Sequence, residues 1–148
     1  MKRLIVFVAT VVLVYGSTAV GGDSKKDQEK MQGSWVVESF LDSDPKGGIP
    51  KDVLKDLVTV VKDDTLKVTI KDQQVVLMKF KLDPSKSPKA VDFTHLDGPE
   101  KGKTELGIYK FDGEKLVMAV NDAGMARPTA FATKEGTKIS VITLTKKK

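Results

Sequence analysis

The chain reads as an all-β protein whose eight or nine short antiparallel strands close into a barrel, with a two-sheet β-sandwich as the alternative. Three observations lead there. From Gly33 onward the apolar residues recur mostly with a period of two, the mark of strands with one buried and one wet face. Turn-forming pairs and Pro/Gly-rich stretches separate these runs at close spacing. No long helical period is present. Such a set must hide its strand edges, either by closing or by stacking two sheets, and the alternation alone does not choose between them.

Residues 34–41 open the fold, with Trp35, Val36, Val37 and Phe40 in a first strand. Residues 42–50 (DSDPKGGIP) form a loop by every turn criterion, and 51–56 allow one helical turn because Val53, Leu54 and Leu57 sit at helical spacing. Strands over 57–62 and 65–71 flank a tight hairpin at Asp63-Asp64; in the second, Leu66, Val68 and Ile70 alternate with Lys67, Thr69 and Lys71. Residues 74–82 repeat the pattern, with Val76, Met78, Phe80 and Leu82 on one face. Residues 83–88 hold two prolines that cannot donate ladder bonds, so they form an exposed turn. Val91, Phe93 and His95 share one face of the next strand, and 97–103 (DGPEKGK) are a loop. Strands at 104–111 and 114–120 flank Asp112-Gly113, the strongest short hairpin signal in the chain. A loop over 121–128 carries Gly124 and Arg127, and strands at 129–133 and 138–145 complete the set.

Residues 1–19 have the build of a signal peptide. Lys2 and Arg3 precede an apolar run over 4–15 that only Thr10 interrupts, and small residues follow from Gly16 to Gly22. Ser17-x-Ala19 fits cleavage after Ala19, with Gly21 as the alternative. About 12 apolar residues fall short of the roughly 20 that span a bilayer, and no cysteine follows to take a lipid anchor. The expectation is an exported protein, periplasmic or secreted, with no membrane span in its mature form. A polar linker follows over 20–30 (its charged part, from Asp23, reads equally as the first turn of a helix), and then one barrel domain over 31–148.

Composition removes several functional classes. The 148 residues include no cysteine and one histidine, which excludes disulfide scaffolds, thiolate chemistry and paired-imidazole zinc sites. Removing the leader lowers the formal charge from +5 to +3, and all but one of the remaining basic residues are lysines, spread among acids rather than clustered with aromatics. That is a solvated surface and not a nucleic-acid footprint. No serine stands in a nucleophile elbow, no glycine-rich phosphate loop opens a helix, and Asp42-Ser43-Asp44 lacks the register of a calcium loop. The sequence calls for no cofactor and no metal. An enzyme acting on small exported substrates is a third-rank reading that rests on His95 alone, since a metal there would need Asp92, Asp97 or Glu100 to converge on it.

Gly33-Ser34-Trp35 resembles the G-x-W that begins the first strand of lipocalins and related calycins. In that superfamily the Trp closes one end of the barrel under a basic side chain from late in the chain. The resemblance therefore implies a structural closure built from Gly33, Trp35 and Arg127, the guanidinium lying over the indole. A second resemblance covers nearly all of the mature chain. Met31-Gln32-Gly33-Ser34-Trp35, the run 82–92 (LDPSKSPKAVD), Gly107-Ile108-Tyr109 and Arg127-Pro128-Thr129-Ala130-Phe131 follow in order. This succession is similar to an uncharacterised, usually exported, lipocalin-like domain family common in planctomycete bacteria. Its members read L-Q-G-T-W, D-P-S-K-x-P-K-x-I-D, G-I-Y and R-P-x-x-F at these places. Met31 and Ser34 depart mildly, and Ala119-Val120 stands where many members carry a cysteine. The resemblance implies a barrel and an envelope location, and brings no established activity.

If the strands register as their alternation suggests, one inner face collects Phe80, Phe93, Tyr109, Phe111 and Met118, with Trp35 at one end and His95 in phase with Phe93. These seven are the candidate ligand contacts. The favoured reading is an exported lipocalin-like barrel that binds a small apolar molecule. The alternative is a packed barrel without a cavity, serving as an interaction or structural module for an envelope protein partner.

Overall fold

The computed structural model describes residues 20–44 and 48–148. The signal-peptide reading of residues 1–19 lies outside the described residues. The polar stretch expected as a linker is a helix, α1 (Val20–Met31). After it come β1 (Gly33–Asp42), the short α2 (Lys51–Leu54), β2 (Leu57–Lys62), β3 (Thr65–Ile70), β4 (Gln73–Asp83), β5 (Ala90–His95), β6 (Thr104–Asp112), β7 (Lys115–Val120) and β8 (Ser140–Lys146). Each strand pairs antiparallel with the next, and β8 returns to pair with β1 from Trp35↔Lys146 to Asp42↔Ser140. The sheet is therefore one closed eight-stranded barrel, and the sandwich alternative is excluded.

Closure also explains why residues 129–133 are not the ninth strand. β7 is paired on both sides, with β6 and β8, and β8 is paired on both sides, with β7 and β1. No edge is left for another strand to join. Residues 121–139 instead run over the outside of the barrel, where Phe131 and Ile139 pack on Ile108, Ala119 and Val141. This wall thus has apolar residues on both faces, which blurs the period of two in β6 to β8.

The inner face follows the alternation. Trp35, Val61, Leu66, Phe80, Leu82, Val91, Phe93, Tyr109, Leu116, Met118, Val120 and Leu144 form one core, joined by Met31 from α1. Bulges between Val37 and Ser39 and between Val68 and Thr69 shift the register once in β1 and once in the β3–β4 pair. β6 and β7 meet tightly at Gly107, where an added Cβ would lie 2.9 Å from the Ala119 carbonyl oxygen. The β6–β7 turn is Gly113-Glu114, one residue later than the Asp112-Gly113 signal, because Asp112 pairs with Lys115.

An up-and-down order puts alternate connections at opposite ends. The turns after β2, β4 and β6 gather at one end with α1. The 43–56 connection, the Lys71-Asp72 turn, the 96–103 loop and the start of the 121–139 segment gather at the other.

Candidate functional site

The α1 end is closed by short-range chemistry. The Trp35 indole N–H donates to the Met31 carbonyl at 2.8 Å, and the ring is 2% exposed. The cation over it is Lys146, whose ammonium lies 4.5 Å from the ring centre and donates to the Lys30 and Gln32 carbonyls at the helix C-terminus. A cation there satisfies orphan carbonyls and opposes the negative end of the helix dipole. Gly33 has φ +112, a conformation in which any side chain would be strained, and an added Cβ would lie in ordinary contact with the end of the Lys146 side chain. Gln32 reaches across to the β2–β3 turn, accepting from the Asp63 N–H at 2.7 Å and donating to its carbonyl at 2.9 Å.

Arg127 does not take the expected place over Trp35. Its guanidinium lies on the outer wall, donating to the Val91 and Gly107 carbonyls at 3.1 and 2.8 Å and to Asp92 at 2.7 Å. The reason is positional: Arg127 belongs to the segment that runs along the outside of β5 to β8, whereas Lys146 ends the strand paired with β1 opposite Trp35 itself. Arg127 pins that segment to the barrel.

A second contact fixes α1. Asp27 is 6% exposed and accepts from the Tyr109 hydroxyl at 2.7 Å and the Lys89 ammonium at 2.8 Å. Burial, reinforced by the hydrogen bond to Asp27, pushes the Tyr109 phenol far above its usual range. Tyr109 and Phe111 meet edge-on at 6.0 Å and Phe80 and Phe93 at 6.5 Å, so the α1 half of the interior is filled.

The other half is not filled. A cavity of about 400 Å³ occupies the interior toward the loop end. Fifteen of its twenty lining residues are apolar, among them Val37, Leu66, Val68, Met78, Met118 and Ile142, which makes the space suited to a hydrophobic body. Val75 at the β3–β4 hairpin lines the rim and is half exposed.

The polar groups of the wall are few. Thr59 is 3% exposed and faces the cavity from β2. Glu105, on β6 opposite Phe93, lines the wall near the mouth. Its Oε1 lies 2.9 Å from His95 Nε2, and His95 is itself held by backbone bonds to Lys103 and Gly102. Asn121 is committed to its own loop, donating to the Ala126 carbonyl and accepting from the Asp122 N–H.

Of the seven candidate contacts, Phe93 and Met118 line the cavity. Trp35, Phe80, Tyr109 and Phe111 fill the closed half instead, and His95 stands behind Glu105. Aromatic content pointed to the packed end because large rings are what fills it. The aliphatic lining was carried by the alternation of Leu66, Val68 and Ile70 and of Val76 and Met78. Thr59 and Glu105 carried no signal, since a lone Thr or Glu in a strand reads as an ordinary wet-face residue. The residues a metal at His95 would need are engaged elsewhere: Asp92 with Arg127, Asp97 with Gln74 at 2.6 Å, Glu100 with Lys103 at 2.8 Å. No helix among the described residues is long and apolar enough to cross a membrane.

The quoted motif residues and the cavity do not overlap. Residues 31–35, 82–92, 107–109 and 127–131 build the closed end and the outer wall, and none of them lines the cavity. Compared with family models, curated proteins and solved structures, the chain matches none.

Proposed function

We propose that this protein is an exported, lipocalin-like binding protein of the kind its motif run resembles, and that it carries a small, largely apolar molecule inside the barrel. The observation that supports this reading is the cavity of about 400 Å³, walled mainly by aliphatic side chains and lying toward the loop end. A chain selected only to be a packed module has no use for such a space, because unfilled volume forfeits dispersion contacts and costs stability.

The test uses the neutral fluorophore N-phenyl-1-naphthylamine, which brightens in apolar surroundings. Saturable binding at one probe per barrel is expected. Val68→Trp, which puts an indole into the cavity, should abolish it while the melting temperature is kept. Absence of saturable binding to the native protein overturns the proposal, as does equal binding by the Val68→Trp variant.

A further inference from the structure

We infer that the cavity selects hydrophobic amines, that is, molecules with an apolar body and a protonated amino group seated against Glu105. The inference rests on the binding reading above and specifies its ligand class.

The sign of the wall carries it. Among the twenty lining residues the ionisable ones are Glu105 and Asp122, both acidic, and no lysine or arginine lines the space. This is not what the overall composition favours, for the chain has 25 Lys+Arg against 20 Asp+Glu. Lys146 and Lys89 are committed at the α1 end and Arg127 on the outer wall, while His95, outside the lining, is bonded to Glu105 itself. A carboxylate ligand such as a fatty acid would meet two acidic side chains and no lysine or arginine. An ammonium would meet a carboxylate flanked by apolar side chains, where water competes less and a charge-assisted hydrogen bond is stronger.

Glu105 is arranged to receive such a group. His95 Nε2 holds one of its oxygens at 2.9 Å, and no other side chain of the described residues hydrogen-bonds the carboxylate. The second oxygen is thus open to a donor from the cavity, while His95 fixes the orientation of the group. Thr59, on β2 across the barrel from β6, lines the cavity and offers a hydroxyl to one further polar atom of the ligand. The volume sits near the lower end of the range for small-molecule sites, which suits a single chain or a two-ring body and excludes a two-chain lipid.

The experiment compares decylamine, decanol and decanoate as displacers of N-phenyl-1-naphthylamine from the native protein. These three share a chain and differ in the head. Decylamine is expected to bind about tenfold more tightly than decanoate, with decanol between them. The net positive charge of the protein biases non-specific binding toward decanoate, so an amine preference must arise in the cavity. Glu105→Gln should reduce the preference to about threefold or less, with the loss falling mainly on decylamine. Equal binding of the three heads, tighter decanoate, or an amine preference that survives Glu105→Gln overturns the inference while the cavity reading stands. If neither the fluorophore nor decanol binds, the cavity reading fails and this inference fails with it.

Discussion

The Lys146 ammonium lies over the Trp35 ring and between the carbonyls that end α1, so one side chain joins the last strand, the first strand and the N-terminal helix. Arg127, the late basic residue that the G-x-W resemblance pointed to, binds a different part of the molecule and shares no partner with Trp35.

A double-mutant cycle separates the two. Lys146→Met should cost about 1 kcal/mol, from the lost cation–π contact and the uncapped carbonyls. Trp35→Ala and Lys146→Met should couple by a similar amount. Trp35→Ala and Arg127→Ala should add within about 0.5 kcal/mol. Urea melts of the single and double variants check this, and coupling of Trp35 to Arg127 would contradict the geometry.

Arg127→Ala should cost about 2 kcal/mol, because a charged group loses three hydrogen bonds and the outer segment loses its anchor. Hydrogen exchange should rise first in residues 121–139. Uniform exchange across the barrel would mean that Arg127 supports the core rather than that segment.

The raised Tyr109 phenol makes alkaline stability depend on this residue. The folded state keeps a proton that the unfolded chain releases near pH 10, so the contribution is fully present below about pH 10 and is lost as the pH climbs above it. Melting temperatures should therefore fall more steeply above about pH 10 in the native protein than in Tyr109→Phe. Phenolate absorbance should show Tyr109 ionising only as the fold opens, a step absent from Tyr109→Phe.

Phe80→Ala should cost about 3–5 kcal/mol, because the ring sits in the filled half and its removal leaves a new void. Denaturant melts measure it, and a loss under 1 kcal/mol would mean that the closed half collapses freely around the gap.

The position of most strands, the buried face of each and most turns were legible in the residues, and the reason is local. A strand half buried and half wet writes its orientation into a period of two, as Leu66, Val68 and Ile70 do against Lys67, Thr69 and Lys71. Two-residue hairpins such as Asp63-Asp64 need a residue that accepts a positive φ, which Asp supplies. The helical state of α1 was less legible, because its polar run is stabilised by contacts with distant residues, chiefly Asp27 with Lys89 and Tyr109.

Tertiary structure alone decided whether the interior is full, which cation covers Trp35, and that residues 129–133 lie outside the sheet. Each depends on residues far apart in the chain meeting at one place. Closure of β8 on β1 removes the edge a ninth strand requires, and register, not residue type, brings Lys146 rather than Arg127 to the indole. Cavity volume is the remainder after eight strands' side chains have filled a common space. No single strand carries that quantity, and it places Glu105 and Thr59 on a ligand-sized void rather than in a packed core.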